Sequence, residues 1–241
     1  MQLIYGIHAV LELLRSDPGK IEKLWLAEDA GNRRLKDLAA EAKSRNVVVH
    51  FEPKEALSRR AGSDRHQGVV AAIAAAPVLD DDAALDRCGD NALLLVLDGI
   101  MDPQNLGAIL RTAEGAGVGA VFLPERRTAP LSPAVIQASA GAAHHLRIAR
   151  IGNVSYFLEK LQQRGYRVIG LDADASLDWC AGDLTGPLAL VFGSEGEGLR
   201  RLVKEHCDAL VRLPMLGKVE SLNVSAAAAA VLFECVRQRK S

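Results

Sequence analysis

Three short stretches hold residues whose types and spacing could do chemistry. The first is "NLGAILR", with Asn105, Gly107 and Arg111. If a helix begins near Asn105, then Leu106, Ile109, Leu110 and Ala113 form one apolar stripe. Gly107 and Arg111, four apart, share another face, and Arg111 leans back toward the helix start over the bare glycine backbone. A glycine there costs ~1 kcal/mol relative to alanine, and an arginine reaching toward the positive end of the helix dipole gains nothing from it. An anion held by the guanidinium and the first-turn amides accounts for both features. A glycine for close packing beside a solvated arginine accounts for them equally, and local physics leaves both readings open.

The second stretch, "FGSEGEG", places Gly193, Glu195, Gly196 and Gly198 in a loop after the apolar run 188–192. A glycine-rich loop after a strand suggests a phosphate cradle. Here Glu195 and Glu197 would repel a pyrophosphate, and the glycine order is not that of a dinucleotide fold. A ligand without phosphate, with some cationic character, suits the loop better; a tight turn with solvated glutamates is the alternative. The third stretch, "LPMLGKVESLNVS", carries Leu213, Pro214, Met215, Ser221, Leu222 and Asn223 ahead of an alanine-rich helix. Ser221 or Asn223 could cap that helix or bond a ligand.

These stretches need scaffolding that brings them to one place. Strand candidates at 92–97, 119–123, 146–151, 166–171, 188–192 and 209–213 alternate with helices, two of them starting at Ser132–Pro133 and at Asn153. That alternation predicts a mostly parallel sheet covered on both faces. The last helix has apolar residues at Val224, Ala228, Val231, Leu232 and Cys235, and Ala226–Ala230 permit close helix approach. Ahead of it, residues 1–75 read as a small α/β domain, with helical spacing in "HAVLELLRS" and "RRLKDLAAEAKSR" and strands in "KLWLA", "VVVHF" and "GVVAAIA". Residues 76–90 interrupt both patterns and read as an acidic linker, leaving 91–241 as the second domain.

The net charge of −1 hides an uneven distribution. Residues 76–90 hold five acids and one arginine, so the regions on either side are weakly basic, which permits RNA binding without requiring it. The stretch after Met1 is too short and punctuated for a membrane span or a secretory leader. Cys88, Cys180, Cys207 and Cys235 form no paired spacing, so a reducing cytoplasm is expected, with no disulfide framework and no zinc site. The six histidines show no metal-ligand spacing either.

Taken in order, the three stretches resemble the three motifs of the SPOUT superfamily of RNA methyltransferases, in its TrmH (SpoU) branch. "IYGIHAVLELL" and "HQGVVA" resemble the accessory domain of the bacterial 23S rRNA guanosine 2'-O-methyltransferases, so the likeness spans nearly the whole chain. It departs at His144, where relatives often carry an acidic residue. The resemblance implies an α/β catalytic domain with a parallel sheet and a deep trefoil knot, plus a ribosomal-protein-like N-terminal domain that binds RNA. It implies S-adenosylmethionine as cofactor, no metal, a homodimer, and methylation of a guanosine ribose in the peptidyl-transferase region of 23S rRNA. Gly193, Leu213 and Leu222 would contact the methyl donor through their backbone, with Gly198 and Met215 as further donor-binding candidates.

The catalytic set implied is Arg111, Asn105, Glu195, Ser221 and Asn223. A ribose hydroxyl is a poor nucleophile unless its proton is removed or its oxygen polarised. Arg111 stays protonated at physiological pH, so it suits holding a substrate phosphate and stabilising developing alkoxide charge. Glu195 is expected to orient Arg111 or a neighbour, and Asn105, Ser221 and Asn223 to position the ribose or the donor. A tRNA ribose methyltransferase on the same domain and a non-catalytic RNA-binding assembly factor are the alternatives.

Overall fold

The computed structural model describes residues 2–29, 32–73 and 79–240. The chain forms two compact units, Met1–Pro77 with Leu131–His144, and Val78–Pro130 with His145–Ser241.

In the first unit the chain runs β1 (Gln2–Tyr5), α1 (Ile7–Ser16), β2 (Ile21–Ala27), α2 (Arg33–Ser44), β3 (Val49–Glu52), α3 (Lys54–Ala61) and β4 (Val69–Ile73). The sheet order is β1-β4-β2-β3; β4 is antiparallel to both neighbours, and β3 is parallel to β2. Central β4 is buried throughout, and α1 covers the sheet with Ala9, Val10, Leu13 and Leu14. Asn32 starts α2 by accepting from the amides of Arg34 and Leu35. Buried His66 in the "HQGVVA" segment accepts at Nδ1 from the Gly68 amide, 3.1 Å, which leaves Nε2–H to donate to Ser58 Oγ, 3.0 Å. Strand β1 and helix α3 were absent from the sequence reading. β1 is four residues ending at Tyr5, and Gly6 just beyond it, with a φ of 100°, turns the chain away from the strand.

The second unit contains α4 (Asp81–Leu85), β5 (Leu93–Leu97), α5 (Pro103–Gly115), β6 (Ala120–Pro124), β7 (Ile148–Ile151), α7 (Val154–Gln163), β8 (Arg167–Leu171), β9 (Leu177–Asp178), β10 (Leu188–Phe192), α8 (Arg201–Glu205), β11 (Ala209–Arg212) and α9 (Val224–Lys240). Helix α6 (Pro133–Ala138), between β6 and β7, clusters with the first unit. Ser132 precedes it as expected but makes no side-chain capping bond, whereas Asn153 caps α7 through the Tyr156 amide.

Seven parallel strands stack in the order β7-β6-β5-β10-β8-β11-β9. Strands β5, β6 and β10 are buried at every position, as unbroken aliphatic runs require when both faces are covered. Phe122 and Phe157 meet in the core with ring centroids 4.5 Å apart.

The acidic segment differs from the expected linker. Of residues 76–90, positions 76–78 lie outside the described residues. The rest join the second unit: Asp80 caps α4, Ala84 and Leu85 enter the core, and Asp81, Asp82 and Asp86 pair with Lys160 on α7 and Arg164 at its C-terminal cap. The charges that broke the hydrophobic pattern hold a short helix against a basic helix face.

Candidate active site

Parallel strands put the loops after β5, β8, β10 and β11 on one edge of the sheet, where open α/β sheets bind ligands. A cavity of about 370 Å³ opens there, a volume within the usual small-molecule range. Its wall includes Leu171 and Asp172 after β8, Gly193, Ser194, Glu195, Gly196 and Gly198 after β10, and Leu213, Met215, Ser221, Leu222 and Asn223 after β11. Three acids line it, Asp172, Glu195 and Glu220, and among the described residues no lysine or arginine does; Asp172 is ion-paired with Lys204 behind the wall, so Glu195 and Glu220 carry its uncompensated charge. That wall disfavours a phosphate and accepts a ligand with a cationic centre and an apolar ring.

The glycine loop keeps its shape through its own backbone. The Ser194 amide donates to the Gly198 carbonyl at 3.1 Å, and the Gly198 amide returns to Ser194 at 3.0 Å. A Cβ on Gly193 would collide with the Gly198 carbonyl, so only glycine lets the loop fold back this tightly. The loop tip then carries Glu195 toward α5.

There the three motifs meet. The Asn105 Nδ2 amide donates to Glu195 Oε1, the Asn223 Nδ2 amide donates to Asn105 Oδ1 at 3.0 Å, and Asn223 Oδ1 accepts from the amide and hydroxyl of Ser225 at 2.9 and 2.6 Å. A carboxylate only accepts, so Glu195 fixes which end of Asn105 faces it, and every amide in the chain follows. Asn105 is buried, and Glu195 and Asn223 are exposed.

The first motif differs from its sequence reading in two respects. Helix α5 begins at Pro103, with Asp102 as the cap accepting from the Gln104 and Asn105 amides, so Asn105 sits inside the first turn with its side chain released for the network. Gly107 is buried while Arg111 is exposed. With α5 packed against α9, burial favours the close-packing reading of Gly107 over an open notch beneath the guanidinium. Arg111 makes no ion pair or hydrogen bond among the described residues, and Glu195 bonds Asn105 rather than Arg111. Ser221 lines the cavity outside the hydrogen-bonded chain. The cap Asp102, the partner Ser225 and the wall acids Asp172 and Glu220 were not singled out from sequence; "DPQN" does carry the Asp-Pro pattern of a helix start.

Comparison with known proteins bears directly on this site. The SpoU rRNA Methylase family matches residues 92–233, which contain all three motifs. The chain belongs to the SpoU rRNA methylase family. A second family, described as RNA 2'-O ribose methyltransferase substrate binding, matches residues 3–79. The protein of Pseudomonas syringae pv. tomato called 23S rRNA (guanosine-2'-O-)-methyltransferase RlmB is 45% identical, covering 100% of this chain and 97% of that protein. Its namesake from Ralstonia nicotianae is 45% identical, covering 99% and 96%. Among solved structures, an RNA 2'-O ribose methyltransferase superposes with a TM-score of 0.82 at 30% identity, covering 99% of this chain and 89% of that one. An AdoMet-bound rRNA methyltransferase from Sinorhizobium meliloti gives 0.79 at 28%, covering 98% and 87%.

Proposed function

We propose that this chain methylates the ribose 2'-hydroxyl of a guanosine in 23S rRNA, with S-adenosylmethionine as donor. The observation that carries the reading is the Glu195–Asn105–Asn223 chain at the mouth of an acid-lined cavity, in a protein 45% identical along its full length to a 23S rRNA guanosine methyltransferase. The cavity's residues fit the donor: apolar side chains suit an adenine, and carboxylates suit a sulfonium. When bound, the donor supplies an electrophilic methyl group. Gly193, Leu213 and Leu222 hold it by backbone contacts, with Gly198 and Met215 completing the wall.

The chain's own residues then act on the RNA. Arg111, exposed and unpaired among the described residues, holds a substrate phosphate and stabilises negative charge growing on the ribose oxygen. Asn105, locked between Glu195 and Asn223, orients the ribose or the donor, and Ser221 adds a hydroxyl from the opposite loop. Residues 1–75 grip the RNA, and residues 91–241 carry the knot and the chemistry. The protein works in the cytoplasm as a homodimer, with the exposed Phe233 of α9 in the subunit contact.

The test is transfer of a tritiated methyl group from S-adenosylmethionine to 23S rRNA from a strain lacking the gene, followed by mapping of the product. One 2'-O-methylguanosine in 23S rRNA is expected. Methylation of tRNA alone, or donor binding without transfer, contradicts the proposal.

A further inference from the structure

Asp98 follows β5 directly, and its side chain is only 4% exposed. It receives a two-pronged bond from Arg200, with Nε at 2.9 Å and an Nη at 2.6 Å. The Asp98 amide also donates to the carbonyl of Phe192, the last residue of β10, at 2.7 Å. Next to it, Gly99 has a φ of 93°, and a Cβ there would lie 3.1 Å from the Ser194 side chain. Arg200 is the residue on which the glycine loop ends and α8 begins.

Two segments, 98–105 and 193–200, are therefore joined at both ends. Asp98–Arg200 closes the base, and Asn105–Glu195 closes the tip. Asp98 is buried but its partner Arg200 is 48% exposed, so the pair is only partly desolvated. Its value lies in direction: a planar guanidinium fork holds a carboxylate in one geometry.

We infer that Asp98 and Arg200 are positioning residues for methyl transfer, acting through Glu195 to set where the Asn105 amide points. This rests on the role proposed above for Glu195 and Asn105. The loop has its own Ser194–Gly198 backbone bonds, in which the Arg200 side chain takes no part. Losing the latch thus displaces Glu195 while the rest of the donor wall, on the loops after β8 and β11, keeps its place, and kcat suffers more than donor affinity.

The experiment compares Arg200→Ala and the milder Arg200→Lys, in the full-length protein and in a Glu195→Gln background. It measures kcat on 23S rRNA, the dissociation constant of S-adenosylmethionine by calorimetry, and the thermal midpoint. Arg200→Ala is expected to lower kcat about 10- to 100-fold, as small misplacements of reacting groups do, with donor affinity changed less than about threefold. In the Glu195→Gln background the same substitution should cost little more, because coupled residues are non-additive. Arg200→Lys, which keeps the charge and loses the fork, should fall between. An equal further loss in both backgrounds, or wild-type turnover by Arg200→Ala, overturns the inference. Wild-type turnover by Glu195→Gln itself overturns the role of Glu195, and the latch with it.

Discussion

Asn105 shows how a residue's neighbours decide its role. Asparagine at a helix start is ordinarily a cap, but Asp102 takes that work and leaves the Asn105 amide bonded at both ends. Arg111 is the opposite case: no partner among the described residues restrains it, so its role depends on what the substrate brings. Arg111→Ala is expected to lower methyl transfer by about 100-fold or more, the scale on which lost transition-state charge stabilisation is felt. Donor affinity and thermal midpoint should stay near wild type, as measured by calorimetry and melting. Of the site, the sequence made visible the three loops and the residue types. The bonds among them were not legible, because a hydrogen bond across 90 or 118 residues depends on strand order, which spacing does not reveal. The two readings of Gly107 stayed open for a related reason: whether a bare Cα faces solvent or protein depends on a neighbouring helix far along the chain.

At the scale of elements, periodicity located nearly every long strand and helix and missed the short ones. β9 has two residues and α4 five, too few to display a period. The last helix ends on side-chain bonds that no pattern would suggest. Arg239 donates to the carbonyls of Asn91, Leu184 and Gly186, fastening α9 to the strand ends near it. Arg239→Ala should destabilise the second unit by about 2–3 kcal/mol, since part-buried carbonyls lose their donors; the urea midpoint of Trp179 fluorescence would report it. In the first unit, burial holds the His66 imidazole below its ordinary pKa, helped by nearby Lys54 and opposed by Asp64. The unfolded chain therefore takes up this proton more readily than the folded one. His66 contributes stability above the ordinary value near 6.5, and that contribution is lost as pH falls below it. Urea midpoints of Trp25 fluorescence, in a Trp179→Phe background, should drop between pH 7.5 and 5.5, and His66→Gln should flatten that drop.

Over the whole molecule, composition understated the basic character of the chain because one acidic stretch offset it. That stretch pairs with α7 inside the second unit. Residues 131–144, expected within the catalytic domain, cluster with the first unit, where Val135, Ile136, Ala142 and Ala143 are buried. Sequence order gave no sign of this, because a chain excursion between adjacent parallel strands looks like any other crossover. Deleting residues 1–80 would remove the partners of those side chains and lower solubility. Among the molecules that remain soluble, RNA affinity should fall well beyond donor affinity, which separate titrations of each ligand would measure.

The most direct test of the account is a single-turnover measurement on Asn105→Ala, with saturating S-adenosylmethionine and unmethylated 23S rRNA. Transfer is expected to slow by about 100-fold while the donor binds as it does to the wild-type protein. Transfer at the wild-type rate would mean that the hydrogen-bonded chain joining the three motifs has no part in the reaction.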